Sequence, residues 1–399
     1  MTTVGIVCEY NPFHPGHAYH INETRAALGE ECAVVCVMSG NFVQRGDFAV
    51  FGKHPRAEAA VRCGVDLVVE LPSPYVLSSA EGFASAGVHI LDALSICDYI
   101  SFGSESGDIG ALLEVVDAIG SPEARTLIRE NLGKGLPYAS ALQKAADHVL
   151  GERSQILKSP NNLLGVEYLR AIASHGSRLA PMTIKRTGGA HDGDTGYSAS
   201  AVRNALLAGN GFPAFMPQNA AALYGVEIAG GRGPVSMSMY EQAMLSRLRS
   251  LDDFSELPGA SEGLDRRLLR FAISEPTIEG ILNHVKTKRY PMSRIRRMLL
   301  CACLGISAAD IRTPPPYIKV LAMNDIGMKL LKDARKTAAL PIITKPASAK
   351  KLSGRAAELF QKEAAATDFY VLGFQDGSAR AGGQEWRETP RVVCCHEGL

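Results

Sequence analysis

Two histidines three residues apart, His14 and His17, are the residues whose types and spacing most clearly suggest chemistry. They lie in the segment Gly5-Ile-Val-Cys-Glu-Tyr-Asn-Pro-Phe-His-Pro-Gly-His-Ala-Tyr-His20, which predicts a short buried strand, a turn and then a helix from Gly16 onward. A helix N-terminus carries unpaired backbone N–H groups and favours an anion. Gly16 has no side chain and would let a base or phosphate approach the backbone. The segment therefore predicts an anion site bracketed by two imidazoles on an exposed turn.

Short motifs also match by chance, and a helix start with incidental histidines is the alternative interpretation. The strand-turn-helix context and the preceding Asn11-Pro12-Phe13 favour the phosphate site. The segment resembles the HxGH signature of the nucleotidyltransferase superfamily, which shares its fold with class I aminoacyl-tRNA synthetases. That resemblance implies ATP binding and attack on the α-phosphate of ATP.

A second candidate phosphate-binding element follows a strand that ends at Arg186. Ser198, Ser200 and Arg203 form a Ser-x-Ser-x-x-Arg pattern at the start of a helix. The pattern resembles the second superfamily motif, in which hydroxyls and a guanidinium meet the β- and γ-phosphates. A helix N-terminus adds positive potential where pyrophosphate charge accumulates. An ordinary serine-capped helix with an exposed arginine is the alternative.

Two other chain segments could contact a nucleotide. Gly103 follows a predicted strand and could let adenine or ribose lie against the backbone, although a Gly/Ser turn also has purely structural uses. Asn161 and Asn162 open a helix, so one of them is expected to cap it and the other has an amide to spare for a nucleotide.

A long loop, residues 39–48, separates two predicted strands and carries aromatic, amide and basic side chains. Loops of this length in a compact domain are usually functional or disordered. It could close over an acyl adenylate or a base. Asp47 in this loop and Glu9 are candidate acid–base or metal-contacting groups, and the sequence does not rank them.

The N-terminal half alternates strands and helices, which predicts an α/β fold with a doubly wound, mostly parallel sheet and a ligand at the carboxyl ends of its strands. Continuous apolar runs are typical of strands buried on both faces. The predicted strands are Val4–Cys8, Ala33–Met38, Asp66–Leu71, Tyr99–Phe102 and Met182–Arg186, and helical spacing marks Pro55–Cys63 and Glu81–Leu94.

The chain has 399 residues, more than a typical single core, so several domains are expected. We predict a nucleotidyltransferase-like, ATP-binding catalytic domain at 1–209, a Gly-, Pro- and Ala-rich linker at 210–235, and an α-rich domain at 236–399. The stretch after about residue 376 is Gly- and Arg-rich and is expected to be loosely ordered.

Composition favours a soluble cytoplasmic protein. Hydrophobic residues make up 46% and charged residues 21%, and no apolar run has the length of a membrane span. The nine cysteines lie mostly in apolar runs, as expected for reduced core thiols. Cys394-Cys395-His396 lacks a second ligand pair, so no protein metal site is predicted.

The formal net charge is only +1, so any nucleic-acid contact must come from a local patch. The densest basic cluster lies in the helical half and comprises Lys288, Arg289, Arg294, Arg296 and Arg297, with Tyr290 interleaved. Such a cluster suits a phosphate backbone, although charge runs are often solvated helix faces. Arg294 and Arg297 should share a helix face by their spacing, with Arg296 pointing elsewhere.

Five segments together resemble one family, the bacterial tRNA(Met) cytidine acetate ligases. They are Glu9-Tyr-Asn-Pro-Phe-His-Pro-Gly-His17, Met38-Ser-Gly-Asn-Phe-Val-Gln-Arg-Gly46, Asp66-Leu-Val-Val-Glu-Leu-Pro72, Phe102-Gly-Ser-Glu105 and Ser159-Pro-Asn-Asn162, and Pro341-Ile-Ile-Thr-Lys345 extends the likeness. The resemblance implies that ATP and acetate form acetyl adenylate, whose acetyl group then passes to N4 of the wobble cytidine in elongator tRNA(Met).

The resemblance also implies the site residues. The ATP-contacting positions would be Val7, Cys8, Glu9, Tyr10, Asn11, Pro12, Phe13, His14, Pro15, Gly16, His17, Ala18, Tyr19, His20, Gly103, Asn161, Asn162, Arg186, Ser198 and Ser200, with Asn162 favoured of the two asparagines. His14, His17, Arg186 and Arg203 would carry catalysis by positioning and charge stabilisation, with Mg²⁺ sharing the phosphates. No tightly bound cofactor, membrane or obligate protein partner is implied.

Two other functions remain possible from the sequence. A small-molecule adenylyltransferase of cofactor metabolism would explain the first 200 residues but leave the basic helical half without a role. An RNA-binding protein with a relic nucleotide site is disfavoured by the intact histidine pair. The Lys-Met-Ser-Lys-Ser loop of class I synthetases is missing from the sequence, which argues against aminoacylation.

Overall fold

A computed structural model of the chain describes residues 1–186, 199–212 and 216–394. Its central element is an eight-stranded sheet with the order β10-β8-β5-β2-β1-β6-β7, in which β9 pairs with β8. A two-stranded hairpin, β3–β4, stands apart from it. The strands are β1 (Thr3–Cys8), β2 (Ala33–Ser39), β3 (Phe42–Val43), β4 (Asp47–Phe48), β5 (Leu67–Leu71), β6 (Tyr99–Ser104), β7 (Ala180–Lys185), β8 (Ile318–Asn324), β9 (Ile342–Ile343) and β10 (Arg391–Val393).

Helices cover both faces of this sheet and form most of the C-terminal half. They are α1 (Pro15–Leu28), α2 (Lys53–Arg62), α3 (Ser73–Val76), α4 (Ala80–Leu94), α5 (Ile109–Gly120), α6 (Pro122–Gly133), α7 (Tyr138–Leu150), α8 (Pro160–His175), α9 (Ala199–Leu207), α10 (Gln218–Ala229), α11 (Glu241–Arg249), α12 (Leu264–Ser274), α13 (Ile278–Val285), α14 (Met292–Leu304), α15 (Asp325–Thr337), α16 (Pro346–Ala349) and α17 (Gly354–Val371).

The predicted fold class is confirmed. β1 pairs in parallel with β2 and β6, and β2 and β6 pair in parallel with β5 and β7. Every residue of β2 and β5 is buried, which explains why both strands are apolar apart from Ser39 and Glu70. The carboxyl ends of β1, β2, β5, β6 and β7 therefore meet at one edge of the sheet, where a ligand is expected.

The predicted linker at 210–235 contains helix α10, which packs against α2 and the loop that follows β1. Tyr224 of α10 is fully buried and stacks on Phe51 with ring centroids 4.5 Å apart. Its hydroxyl accepts a hydrogen bond from the backbone N–H of Phe13 at 3.2 Å. The Gly- and Ala-rich segment predicted as a linker thus includes an ordered helix that contacts the histidine loop.

The C-terminal half differs from the predicted independent α-rich domain. Helices α11 to α14 do form a separate hydrophobic core around residues such as Leu248, Leu268, Ile281 and Met298. After them the chain returns to the central sheet, where β8 pairs antiparallel to β5 and β10 pairs in parallel with β8. One sheet is therefore built from both halves, so a boundary at residue 209 or 236 does not divide the sheet from the rest.

The prediction of a loosely ordered tail after residue 376 is wrong for the described residues up to 394. Glu385 lies in this stretch and is only 2% exposed. Its carboxylate forms ion pairs with Lys53 of α2, at 2.8 Å, and with Lys319 of β8. Breaking a buried pair of this kind costs about 3–5 kcal/mol, because it leaves an uncompensated charge. In the part of the chain that the structure describes, no helix is long and apolar enough to cross a bilayer.

Candidate active site

The loop between β1 and α1 is held by buried side chains that face the protein interior. Phe13 is fully buried, and Tyr10 contacts the Cys36 thiol through its hydroxyl at 3.3 Å. Oδ1 of Asn11 accepts the backbone N–H of Val50 at 2.8 Å. These contacts hold the loop in place, and a direct contact of these residues with ATP stays a prediction.

His14 and His17 close a capping box at the start of α1. Nδ1 of His14 accepts the N–H of Gly16 at 3.1 Å, and Nδ1 of His17 accepts the N–H of His14 at 3.2 Å. The two rings are in contact, with centroids 3.7 Å apart and their planes tilted by 32°. The expectation of several unpaired N–H groups converging on an anion is therefore corrected, because the imidazoles themselves take two of these donors.

The capping bonds determine where each imidazole carries its proton. A neutral ring whose Nδ1 accepts a hydrogen bond must be protonated at Nε2. Burial, helped by the guanidiniums of Arg186 and Arg203, lowers the pKa of His14 to about 4. Burial, followed by His14 and Arg186, lowers the pKa of His17 well below its usual range. Both histidines are therefore neutral Nε2–H donors at pH 7.

The histidine pair is more enclosed than an exposed turn, which was the prediction. His14 is 7% exposed, and His17 also lies edge-on to Tyr10 at a centroid distance of 4.7 Å. Gly16 is exposed, but a Cβ there would lie 2.9 Å from Cε1 of His14. Glycine at this position therefore makes room for the His14 ring, in addition to any space it leaves for a ligand.

The two predicted arginines lie beside the histidine pair on different elements. Arg186 follows β7, is exposed, and donates its backbone N–H to Ser104 at 2.9 Å. Arg203 of α9 donates to the carbonyl of Asn11 at 2.9 Å and to the Ser200 hydroxyl at 2.9 Å. Both guanidiniums lower the pKa of His14, which places their positive charge close to it. Ser198 lies outside the described residues.

Gly103 and His20 line the β6 side of the site. A Cβ at Gly103 would lie 3.3 Å from Cγ of Arg186, so this glycine sits directly beneath the arginine side chain. Nε2 of His20 lies 2.9 Å from the hydroxyl of Ser101. Burial, followed by Arg186, lowers the pKa of His20 to about 4, so it too is neutral at pH 7.

The two asparagines have structural partners. Ser159, rather than an asparagine, stands at the N-cap of α8. Oδ1 of Asn162 accepts the N–H groups of Glu105 and Ser106 at 2.9 and 3.1 Å, while its amide donates to a backbone carbonyl. The amide of Asn161 donates to the Glu105 carboxylate at 2.6 Å. Asn162, the favoured nucleotide contact, thus shapes the turn after β6, and an ATP contact from either asparagine stays a prediction.

The remaining predicted ATP-binding positions lie around this core. Val7 packs against Gly87 of α4, where a Cβ would come within 2.7 Å of it. Cys8, Ala18 and Tyr19 are partly exposed at the end of β1 and on the first turns of α1. Their direct contact with ATP also stays a prediction.

The long loop at 39–48 forms the β3–β4 hairpin and connects the end of β1 with helix α14. The backbone N–H of Gln44 donates to Oε1 of Glu9 at 2.5 Å, and its carbonyl accepts from Arg297 of α14 at 3.2 Å. Gly46 has a φ of +77°, and a Cβ there would lie 2.5 Å from the backbone nitrogen of Arg297. The hairpin tip is therefore seated directly on α14.

The structure separates the predicted RNA-binding residues into two groups. Lys288 and Arg289 are exposed in the turn before α14, and Nε of Arg289 lies 3.7 Å from the Glu262 carboxylate. Arg294 forms an ion pair with Glu262 at 2.9 Å, and Arg296 pairs with Asp47 at 3.5 Å. Arg297 lies three residues after Arg294 on the same helix, but it is half-buried against the hairpin, where it donates to the carbonyl of Gln44.

Tyr290, the aromatic residue of the basic cluster, is 7% exposed, and its hydroxyl donates to the carbonyl of Glu262 at 2.5 Å. It is therefore not placed to stack on a base.

The sequence analysis missed Arg56, a fully buried arginine of α2. It donates to the carbonyls of Phe51 at 2.9 Å and Ser39 at 3.0 Å, and also to those of Gly40 and Glu9. One guanidinium thus ties the ends of β1 and β2 to the start of α2. Its only sequence signal is a charge in a helix that also contains several alanines, which is weak.

A parallel sheet whose first strand leads into a histidine-capped helix, flanked by two arginines, defines a nucleotidyltransferase-type site. The family described as HIGH Nucleotidyl Transferase matches residues 1–385. The chain is 38% identical to the tRNA(Met) cytidine acetate ligase of Caldanaerobacter subterraneus subsp. tengcongensis, over 94% of this chain and 96% of that protein. It therefore belongs to the tRNA(Met) cytidine acetate ligase family.

Other comparisons agree. The tRNA(Met) cytidine acetate ligase of Acetivibrio thermocellus is 34% identical over 98% of this chain and 99% of that protein. The crystal structure of Thermotoga maritima TmcAL bound with α-thio ATP superposes with a TM-score of 0.91 at 33% identity, covering 99% of this chain and all of that one. The apo form superposes with a TM-score of 0.92 at 32% identity.

Proposed function

We propose that the protein is an ATP-dependent ligase that activates acetate as acetyl adenylate and acetylates N4 of the wobble cytidine of elongator tRNA(Met). The observation that carries this proposal is the near full-length similarity to tRNA(Met) cytidine acetate ligases, which includes the basic helical half. The α-thio ATP bound by the Thermotoga maritima protein supports ATP as the nucleotide. The alternative of a small-molecule adenylyltransferase leaves the similarity of the C-terminal half without explanation.

In the first step an acetate oxygen attacks the α-phosphorus of ATP in line, and pyrophosphate leaves with the electron pair of the broken P–O bond. Acetate is already anionic, so this step needs no protein nucleophile. His14 and His17 offer neutral Nε2–H donors to the phosphate oxygens, and Arg186 and Arg203 supply the positive charge. Preorganised donors of this kind are typically the largest catalytic contribution in such reactions.

The pKa shifts and contacts of the two histidines and two arginines indicate a different role for each pair. Because burial keeps His14 and His17 neutral, they can donate hydrogen bonds without repelling the nearby arginines. Arg186 is exposed and able to follow the departing pyrophosphate, whereas Arg203 is held by Asn11 and Ser200. Arg203 and the N-terminus of α1 therefore form the fixed part of the positive field.

The predicted Mg²⁺ is best described as part of the Mg·ATP substrate. Mg²⁺ usually keeps several waters and binds through one or two carboxylates plus substrate phosphates. Among the described residues, no group of three or more His, Cys, Asp and Glu side chains could hold a metal ion. The described residues are therefore consistent with an Mg²⁺ ion that is coordinated mainly by the triphosphate.

The tRNA surface is proposed to begin at the exposed Lys288 and Arg289. The turn that carries them precedes α14, and α14 in turn supports the hairpin beside Glu9. A tRNA held there by its phosphates would lie next to the nucleotide site. Arg294, Arg296 and Arg297 also belong to this proposed surface, although their ion pairs and hydrogen bonds to the protein must compete with phosphate contacts.

The test is incubation of purified protein with ATP, labelled acetate and tRNA(Met) transcripts, followed by nucleoside analysis. We expect N4-acetylcytidine only when ATP, acetate and tRNA(Met) are all present. A transcript whose wobble cytidine is replaced by uridine is the matched control and should remain unlabelled. Acetate-dependent formation of a small-molecule adenylate without any labelling of tRNA would support the adenylyltransferase alternative instead.

A further inference from the structure

Glu9 lies where the nucleotide site meets the helical half of the molecule. It is the first residue after β1 and stands five positions before His14. The hairpin segment that contacts its carboxylate is the segment held by Arg297 of α14. An acceptor base that reaches the acyl group from the helical half must therefore pass close to this carboxylate.

Within the described residues, one carboxylate oxygen of Glu9 accepts a hydrogen bond from the protein and the other does not. Oε1 accepts the N–H of Gln44 at 2.5 Å, and the carbonyl of Glu9 itself accepts from the buried Arg56. Among the hydrogen bonds of the described residues, Oε2 of Glu9 has no partner. The side chain is half-buried, so it is accessible from one side. Within the described part of the chain, the hairpin thus orients the carboxylate through Oε1 and leaves Oε2 for a substrate.

Asp47 is the other carboxylate that the sequence singled out, and its oxygens are engaged. Oδ1 accepts the N–H of Phe48 at 2.9 Å, and Oδ2 pairs with Arg296 at 3.5 Å. These contacts give Asp47 a structural role in seating the hairpin on α14. The geometry therefore ranks Glu9 above Asp47, which the sequence alone could not do.

Several charged or titratable groups face Glu9 from neighbouring elements. Arg45 of the hairpin, Arg56 of α2 and Arg203 of α9 favour its ionised form, and Tyr168 of α8 lies within electrostatic range. Burial nevertheless outweighs the cations and raises the pKa of Glu9 above its ordinary value. A carboxylate whose pKa is raised is a stronger base, and so a better proton acceptor near neutral pH.

We propose that Glu9 is the general base of the second half-reaction, an inference that rests on the proposed function. The lone pair of the cytidine N4 amine forms a C–N bond to the acyl carbon, and the C–O bond to AMP breaks with its electron pair leaving on the phosphate. Oε2 of Glu9 takes one N4 proton and later releases it to water. This role differs from adenylation, in which acetate has no proton to lose.

The experiment compares the two half-reactions in Glu9→Gln and Asp47→Asn. The glutamine variant keeps an oxygen for the Gln44 N–H but cannot act as a base. Adenylation is measured by acetate-dependent ATP–pyrophosphate exchange, and transfer by single-turnover acetylation of tRNA(Met). In Glu9→Gln we expect transfer to fall by about a hundredfold more than exchange, within the usual range for general base catalysis. In Asp47→Asn, at saturating tRNA(Met) so that any change in binding by its partner Arg296 does not matter, the two rates should keep their wild-type ratio.

The pH profile of single-turnover transfer separates a base from a positioning group. Wild-type transfer should rise with pH and level off above the pKa of Glu9, and Glu9→Gln should lose this rising limb. Equal losses in exchange and transfer, or an unchanged transfer rate, would overturn the proposal. A transfer rate that falls relative to exchange in Asp47→Asn but not in Glu9→Gln would overturn the proposal as well. If wild-type protein exchanges pyrophosphate but never acetylates tRNA(Met), the proposed function fails, and the role of Glu9 fails with it.

Discussion

His14 performs two roles that a pair of substitutions can separate. Its Nδ1 caps α1 by accepting the Gly16 N–H, and its Nε2–H is available to a phosphate oxygen. His14→Ala removes both, whereas His14→Asn restores a side-chain oxygen at the N-cap, where asparagine is among the best residues. The asparagine side chain is shorter and does not place a donor where Nε2–H lies.

The structure sets the expected magnitudes. Loss of one preorganised donor costs about 10²–10³ in rate, so both variants should lose about a hundredfold or more in ATP–pyrophosphate exchange. Loss of an N-cap costs about 1 kcal/mol, so His14→Ala should be destabilised by at least that much. His14→Asn should recover most of this stability because it can cap the helix again.

The assays are acetate-dependent ATP–pyrophosphate exchange and urea denaturation of the same preparations. We expect the two variants to differ in the free energy of unfolding and to agree in their low exchange rate. If His14→Asn restored both stability and exchange, His14 would act only as a helix cap, and its role as a phosphate donor would be refuted.

Three further predictions concern the hairpin, the buried histidines and the tRNA surface. In urea titrations Gly46→Ala should lower the free energy of unfolding clearly more than Gly209→Ala does. The φ of Gly209, +74°, is similar, but a Cβ there would meet open space. Equal losses would argue against close packing of the hairpin on α14. Because the pKa of His20 is lowered to about 4, the unfolded chain binds more protons between pH 4 and about 6.5, so stability falls as pH falls through this window. His20→Gln should flatten that dependence in unfolding titrations, and an unchanged slope would count against it. Replacing Lys288 and Arg289 by Ala should reduce the slope of log K for tRNA binding against log salt concentration by about 0.7–0.9 per lost phosphate contact. The same change at the exposed pair Lys329 and Lys332 is the control and should leave the slope unchanged. If only the control pair reduced the slope, the RNA surface would lie on α15.

The parallel core of the fold could be predicted from sequence because its signals are local. β2 and β5 are buried on both faces, so their short apolar runs indicate buried strands even though β5 contains Glu70. β8 and β10 join the same sheet from more than 200 residues away, and no local pattern specifies such pairing. Glu385 illustrates the same limit, since a polar Gly- and Arg-rich stretch gives no sign that its carboxylate meets two buried lysines.

The candidate site was predictable in its residue types but not in its geometry. The histidine motif, Arg186 and Arg203 were identified, and the structure brings them together. The neutral Nε2–H tautomers depend on capping bonds that only the folded turn defines. Helical spacing predicts a common face for Arg294 and Arg297, but it could not show that the hairpin, an element remote in sequence, contacts Arg297.

The central claim is that acetate attacks the α-phosphorus and that the acyl C–O bond is then broken by the cytidine amine. Acetate labelled with oxygen-18 in both carboxyl oxygens tests it in one turnover with ATP and tRNA(Met). The account predicts AMP that carries one labelled oxygen on its phosphate, formed in a one-to-one ratio with N4-acetylcytidine. Unlabelled AMP, or ADP as the nucleotide product, would contradict it.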